Sequence, residues 1–297
     1  MCAENSKSVS WWDMSSHEVR AKINQRIMSI DAEILAVGSV VDQVVQRENR
    51  ITSIRIYTPR KGDHFPIVLL IHGGAWVAGS IDTHDNLARY LCTKTHTLVI
   101  SVGYLNAPEG KFPLPLEQCY DALLWAAQHA EEMRAHPSKL AVIGDSAGGN
   151  MTAALCLMAR DRKGPKISAQ VMINPAPDLT CNGTLERKGD SLDSLRWQAI
   201  NYLSDPRDAY HPYASPLVAA TDLCNLPAAT LILAEQDELR DSGQHYADRL
   251  KEAGIPTYVY CQNDIGHLAG HGARASEYAK KSLDVAVIAL RHAFFTD

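Results

Sequence analysis

The sequence contains no uninterrupted apolar run approaching the roughly 20 residues that cross a bilayer, so no transmembrane segment is expected. It has no basic cluster either. The 29 Lys and Arg residues stand against 34 Asp and Glu, for a formal net charge of −5, and nucleic acid is therefore not expected as a partner. Paired cysteines are missing. Cys2, Cys92, Cys119, Cys156, Cys181, Cys224 and Cys261 are odd in number, scattered and without a C-x-x-C, which argues against both a zinc site and a disulfide framework. A reducing, cytoplasmic setting is the reading that follows. Met1-Cys2 before a polar stretch also fits a lipid-attachment cysteine left after removal of a secretion segment, so a secreted or lipid-anchored location stays open, although no intact signal peptide is visible. There is no internal repeat and no low-complexity tract.

The chain of 297 residues suffices for one large α/β domain or two small ones. Residues 1–35 are polar to amphipathic. Val19, Ile23, Ile27 and Ile30 repeat at helical spacing, preceded by Trp11, Trp12 and Met14. Val40–Gln46 and Thr52–Thr58 are rich in β-branched residues and flank a polar turn at Arg47–Arg50, which predicts a strand pair. From Pro66 onward short Val/Ile/Leu runs alternate with helical segments. The runs are Ile67–Ile71, Thr97–Val102, Leu140–Ile143, Gln170–Ile173, Thr230–Ala234 and Thr257–Cys261, and the helices include Asp85–Thr93, Glu117–Met133 and Gly243–Ala253. Near-continuous apolar strands alternating with helices imply a parallel sheet covered on both faces, an α/β fold. Residues 181–212 break this rhythm and read as an inserted helical excursion through Leu192, Leu195, Trp197, Ile200 and Leu203.

One segment carries chemistry. The apolar run 140–143 leads directly into Gly144-Asp145-Ser146-Ala147-Gly148, and Met151, Ala154, Leu155 and Met158 then follow at the spacing of a buried helical stripe. Strand, serine, helix is the order of a nucleophile elbow, in which the glycines admit a turn too tight for side chains. A serine hydroxyl is a weak nucleophile near neutral pH. It needs a base, an orienting carboxylate for that base, and N–H donors for the oxyanion that attack generates.

Each partner has a candidate. His72-Gly73-Gly74-Ala75-Trp76 follows strand 67–71, and the N–H groups of Gly73 and Gly74, with that of Ala147, would make a three-donor oxyanion hole. The acidic run Glu235-Gln236-Asp237-Glu238 follows strand 230–234, where α/β enzymes place functional groups. Asp237 is the expected acid and Glu235 its competitor, while Asp241 is expected to cap a helix starting near Ser242. His267 follows the last strand and a glycine and is the expected base. His271, four residues on, remains an alternative. The chain order is then Ser…Asp…His.

With these residues in place, the sequence resembles the hormone-sensitive-lipase-like, bacterial family IV carboxylesterases of the α/β-hydrolase fold over about residues 40–290. The resemblance rests on His72–Trp76, Ala107-Pro108-Glu109 with Phe112-Pro113, Gly144–Gly149, Ser215-Pro216-Leu217 and Asp237 through Asp241, in that order. It implies a mostly parallel eight-stranded sheet with helices on both faces and a helical cap. Residues 1–38 are the cap's N-terminal helices, 39–297 the hydrolase domain, and 181–212 the cap insertion. It further implies hydrolysis of short- to medium-chain acyl esters without cofactor or metal, with Ser146 as nucleophile, Asp237 as acid, His267 as base and Gly73, Gly74 and Ala147 as donors. Amide or formamide hydrolysis or deacetylation by the same triad stays open, as does a non-catalytic ligand-binding homologue. Trp76, Met151, Trp197 and Trp12, with Trp11, are candidate pocket residues. The small-molecule ester is the expected partner, and a homodimer stays open. Three departures stand out: Ala75 replaces the family's third glycine, Tyr104-Leu105-Asn106 lacks the usual arginine before Ala107, and Leu268 follows His267 where the family has Gly-Phe.

Overall fold

The computed structural model describes residues 10–29, 34–181, 193–218, 220–267 and 277–295. The apolar runs form one eight-stranded sheet in the order β1-β2-β4-β3-β5-β6-β7-β8. Its strands are β1 (Ser39–Arg47), β2 (Arg50–Thr58), β3 (Phe65–Ile71), β4 (Leu98–Gly103), β5 (Ala135–Asp145), β6 (Ala169–Ile173), β7 (Ala228–Ala234) and β8 (Thr257–Gln262). β1–β2 and β2–β4 are antiparallel, and every pair from β4 to β8 is parallel. Alternation along β3 shows why the strands read as continuous apolar runs. Ile67, Leu69 and Ile71 enter one core cluster, and Val68 and Leu70 enter the other. Both faces are buried, so neither can be polar.

The helices α2 (Asp85–Thr95) and α7 (Glu277–Phe295) cover one face, and α3 (Leu114–Gln128), α4 (Ala147–Asp161) and α6 (Arg240–Glu252) the other. α1 (Ser16–Met28) begins with a reciprocal capping box between Ser15 and Glu18. It buries Val19 and Ile27, whereas Ile30 lies outside the described residues. The excursion after β6 contains α5 (Asp193–Tyr202) and a 3₁₀ turn at Pro206–Tyr210. Residues 182–192 lie outside the described residues. Trp11 meets Trp197 of α5 edge-on at 5.4 Å, which joins the N-terminal segment to the inserted helix.

α6 spans Arg240–Glu252 rather than Gly243–Ala253 and α2 ends at Thr95 rather than Thr93, and the largest departure is at α3. α3 spans Leu114–Gln128 rather than Glu117–Met133. It starts early because Pro115 is tolerated in the first turn, where its missing N–H has no helical partner to lose. It stops early because the chain reverses, with Arg134 N–H on Glu131 O at 3.0 Å and Ala135 N–H on Ala130 O at 2.8 Å, to enter β5.

The parallel pairing aligns the strand ends that matter. Ile71 pairs with Gly144, Gly144 with Met172, and Ala234 with Gln262. The loops after β3, β5, β7 and β8 therefore emerge along one rim of the sheet.

Candidate active site

At the end of β5 the backbone turns at Ser146 with φ 54° and ψ −117°. A non-glycine residue there carries strain of roughly 1–3 kcal/mol. The turn is held by Ser146 N–H on Ile173 O at 2.7 Å and Asn150 N–H on Ser146 O at 3.0 Å. Its tightness depends on two glycines. A Cβ at Gly144 would strike Gly148 O, and one at Gly148 would strike Ile71 O. α4 starts at Ala147 with no side-chain cap, so its first N–H groups and the positive end of its dipole sit beside the Ser146 hydroxyl.

His267 reaches this hydroxyl from the loop after β8. Its Nε2 lies 2.9 Å from Ser146 Oγ, and its Nδ1 lies 2.8 Å from Asp237 Oδ2. Because a carboxylate only accepts, Nδ1 carries the proton and Nε2 faces Ser146 as a base. Asp237 is itself fixed, since its Oδ1 accepts the Leu239 N–H at 3.0 Å and its side chain is only 1% exposed. Burial alone would lower the His267 pKa. The Asp237 hydrogen bond and charge, with smaller contributions from Asp145 and Glu238, outweigh it and raise the pKa. Glu235 serves another purpose, as its Oε2 accepts the Asp264 N–H at 2.8 Å and ties the acid loop to the base loop. Asp241 does not cap α6. The helix begins one residue before it, and its carboxylate lies 2.8 Å from Arg240 Nε. His271 lies outside the described residues.

The loop after β3 corrects one expected donor. The Gly73 N–H is spent on Asp145 Oδ1 at 3.1 Å, so it is not free for an oxyanion. The N–H groups of Gly74 and Ala147 have no acceptor among the described residues, and neither has that of Ala75. Ala75 and Trp76 are both left-handed, at φ 58° each, which is the conformational cost of presenting successive N–H groups from so short a loop.

Asp145, inside the serine motif, was given no role by sequence reasoning. Besides Gly73, it lies 3.2 Å from His84 Nε2, and both side chains are buried. The signal for it was present, because a carboxylate ending an apolar strand must find partners. His72 stacks on Tyr104 at 4.0 Å and points Nδ1 at Gly73 O, 2.9 Å away. Burial first, then the neighbouring His84, pushes its pKa down to about 3, so this ring is neutral. Asn150 was likewise unforeseen. Its Nδ2 donates to Ala176 O and Ala214 O, each at 2.9 Å, and so binds α4 to two loops.

The expected pocket residues are all buried or nearly so, apart from Trp11 and Trp12, which are half-buried. Trp76 and Met151 have no exposed surface and belong to the main core, Trp76 stacked on Tyr202 at 5.0 Å. Trp197 is 5% exposed and packs in a small cluster with Val19 and Ala75, against which Trp11 and Trp12 also lie. Cavities of about 580 Å³ and 480 Å³ are lined by other residues, the first by Arg55, His72 and Asn106 among them.

A family model described as the alpha/beta hydrolase fold matches residues 68–270. The chain belongs to the α/β-hydrolase family. Its motif order is that of the hormone-sensitive-lipase-like members of the family. This α/β hydrolase is 40% identical to an arylesterase of Saccharolobus solfataricus, over 84% of this chain and 83% of the relative. It is 39% identical to the carboxylic ester hydrolase LipN of Mycobacterium tuberculosis, over 72% of this chain and 59% of the relative. Among solved structures, a hyperthermophilic esterase from Pyrobaculum calidifontis matches with a TM-score of 0.86 and 34% identity, covering 94% of this chain and 91% of that one. No helix among the described residues of this hydrolase is long and apolar enough to cross a membrane.

Proposed function

We propose that this α/β hydrolase cleaves short- to medium-chain carboxylic esters through an acyl-enzyme on Ser146. The observation that carries the reading is the continuous line from Asp237 Oδ2 through the His267 ring to Ser146 Oγ, with contacts of 2.8 and 2.9 Å. Kinship with named esterases supports ester cleavage as the reaction class.

In this mechanism His267 Nε2 takes the Ser146 proton as Oγ bonds to the ester carbonyl carbon. The negative charge that moves onto the carbonyl oxygen is met by the N–H groups of Gly74, Ala75 and Ala147. When the tetrahedral centre collapses, the carbon–oxygen bond to the alcohol breaks and His267 gives its proton to the departing oxygen. Water then loses a proton to the same nitrogen as it attacks the acyl carbon, and Ser146 leaves with that proton restored. Asp237 holds the imidazole tautomer and offsets its positive charge in both halves. α1 and α5 serve as the cap that limits acyl length.

The test is a series of p-nitrophenyl esters from acetyl to dodecanoyl. The wild type should release a burst of one p-nitrophenolate per chain and favour the shorter acyl groups. Ser146→Ala should show no burst and take no fluorophosphonate label, and stable labelling of that variant would refute the assignment. His267→Ala should slow turnover by roughly 10²–10⁴-fold.

A further inference from the structure

Ala75 and Trp76 are consecutive left-handed residues in the loop that carries two of the three free donors. Strain of this kind persists only where the surroundings over-determine the backbone. Part of the restraint is internal, since the Val77 and Ala78 N–H groups both bond to Gly74 O, at 3.1 and 2.8 Å. The rest arrives from α1. Arg20 Nε donates to Val77 O at 2.6 Å, and its Nη2 donates to Ala107 O at 2.7 Å. Ala107 in turn donates its N–H to Trp76 O at 2.8 Å. One guanidinium therefore fastens the loop directly and also fastens the segment that holds the loop. Glu109 completes the fork, with Oε1 3.0 Å from Nη1. One helical turn on, Asn24 Oδ1 accepts the Gly79 N–H at 2.9 Å and closes the far end of the loop. Between these ties Val19 packs with Ala75, Val77, Ala78 and Ala107.

We propose that Arg20, assisted by Asn24, is a positioning residue that holds the Gly74 and Ala75 N–H groups on the site of the developing oxyanion, an inference that rests on the acyl-transfer reading above. The N-terminal helix is thus part of transition-state stabilisation as well as a covering element. Lysine substitutes only in part, because a single ammonium lacks the planar fork that reaches Val77 O and Ala107 O together. A donor that drifts by a fraction of an ångström loses contact with the oxyanion more than with the ground-state carbonyl, so the loss belongs in turnover.

The experiment compares wild type with Arg20→Met, Arg20→Lys, Glu109→Gln and Asn24→Ala. Readouts are the kcat and KM for p-nitrophenyl acetate and inhibition by two ligands. One is a trifluoromethyl ketone, whose serine adduct carries an oxyanion. The other is the matching unreactive amide. Arg20→Met should lower kcat about tenfold or more, with KM changed little. Trifluoromethyl ketone affinity should weaken in step with kcat/KM while amide affinity holds. Arg20→Lys should show the same signature, more weakly. Glu109→Gln should have little effect, because Arg20 keeps both carbonyl partners. Should Arg20→Met fail to fold, Asn24→Ala carries the test with the same pattern at smaller amplitude. A folded variant with unchanged kcat, a loss confined to KM, or equal weakening of both inhibitors would overturn the proposal, as would Glu109→Gln reproducing the full loss. Absence of an acyl-enzyme burst in the wild type would instead overturn the esterase reading itself.

Discussion

His267 stands between two opposed influences. Burial favours its neutral form, and the hydrogen bond and charge of Asp237 favour the protonated form and prevail, so its pKa lies above the ordinary 6.5. The base must be neutral to accept the Ser146 proton. The acidic limb of kcat/KM against pH should therefore have its midpoint above 6.5, with activity falling as pH drops through it. Asp237→Asn should move that limb downward while reducing the rate. Stability runs the other way. A pKa raised on folding contributes stability in full below the unfolded value near 6.5, and that contribution is lost as pH rises through the folded value. The pH range that frees the base thus forgoes this share of stability. At this scale the sequence revealed which loops carry Ser146, Asp237 and His267, because each follows a strand on the same rim. It did not reveal which of several adjacent N–H groups faces inward. Asp145 claims the Gly73 N–H, and a one-dimensional string does not show a carboxylate folding back on a residue 72 positions earlier.

Elements were more legible than their ends. Each of the eight strands follows from an apolar or β-branched run; burial on both faces leaves little freedom in composition for the central ones, such as β3 and β6, whereas the edge strands β1 and β8 are legible through their β-branched and aromatic residues. The helix bounds that shifted, at α3 and α6, were decided by local hydrogen bonds and turn chemistry at the helix ends. Asp237 reaches over to the Leu239 N–H and leaves Asp241 inside the first turn. The hairpin β1–β2 illustrates how a marginal element is secured. Along β1 only Val45 is buried, so apolar area alone holds this edge weakly. Instead Arg50 Nε and Nη2 grip the buried Asp121 of α3 at 2.7 and 3.0 Å, with Arg47 3.5 Å away. Asp121 holds the Arg50 pKa above its already high ordinary value. Arg50→Met would leave Asp121 buried with Arg47 as a poorer partner. It should destabilise the protein by about 2–3 kcal/mol, somewhat below the usual loss for a broken buried pair because Arg50 is partly exposed. A lowered urea midpoint at unchanged slope would register this, while Arg50→Lys should recover part of it.

For the molecule as a whole, the cysteines report how tightly the layers close. Among the described residues, Cys92, Cys119, Cys156 and Cys181 are buried, and Cys224 and Cys261 are exposed. Burial pushes the Cys92 thiol up to about 12 and raises Cys119 and Cys156 further still, which leaves almost no thiolate to react. A thiol-specific disulfide reagent, followed by peptide mapping, should mark Cys224 and Cys261 within minutes in native protein. The four buried thiols should react only on unfolding, and reductant should leave the melting temperature unchanged.

The placement of the triad on the sheet is uneven. Ser146 and the Gly74, Ala75 and Ala147 N–H groups follow β5 and β3, each flanked by strands on both sides, whereas His267 follows β8, which among the described residues has a neighbour on one side only. A change of length between Gln262 and His267 should accordingly displace the imidazole while leaving the loops after β3 and β5 where they are.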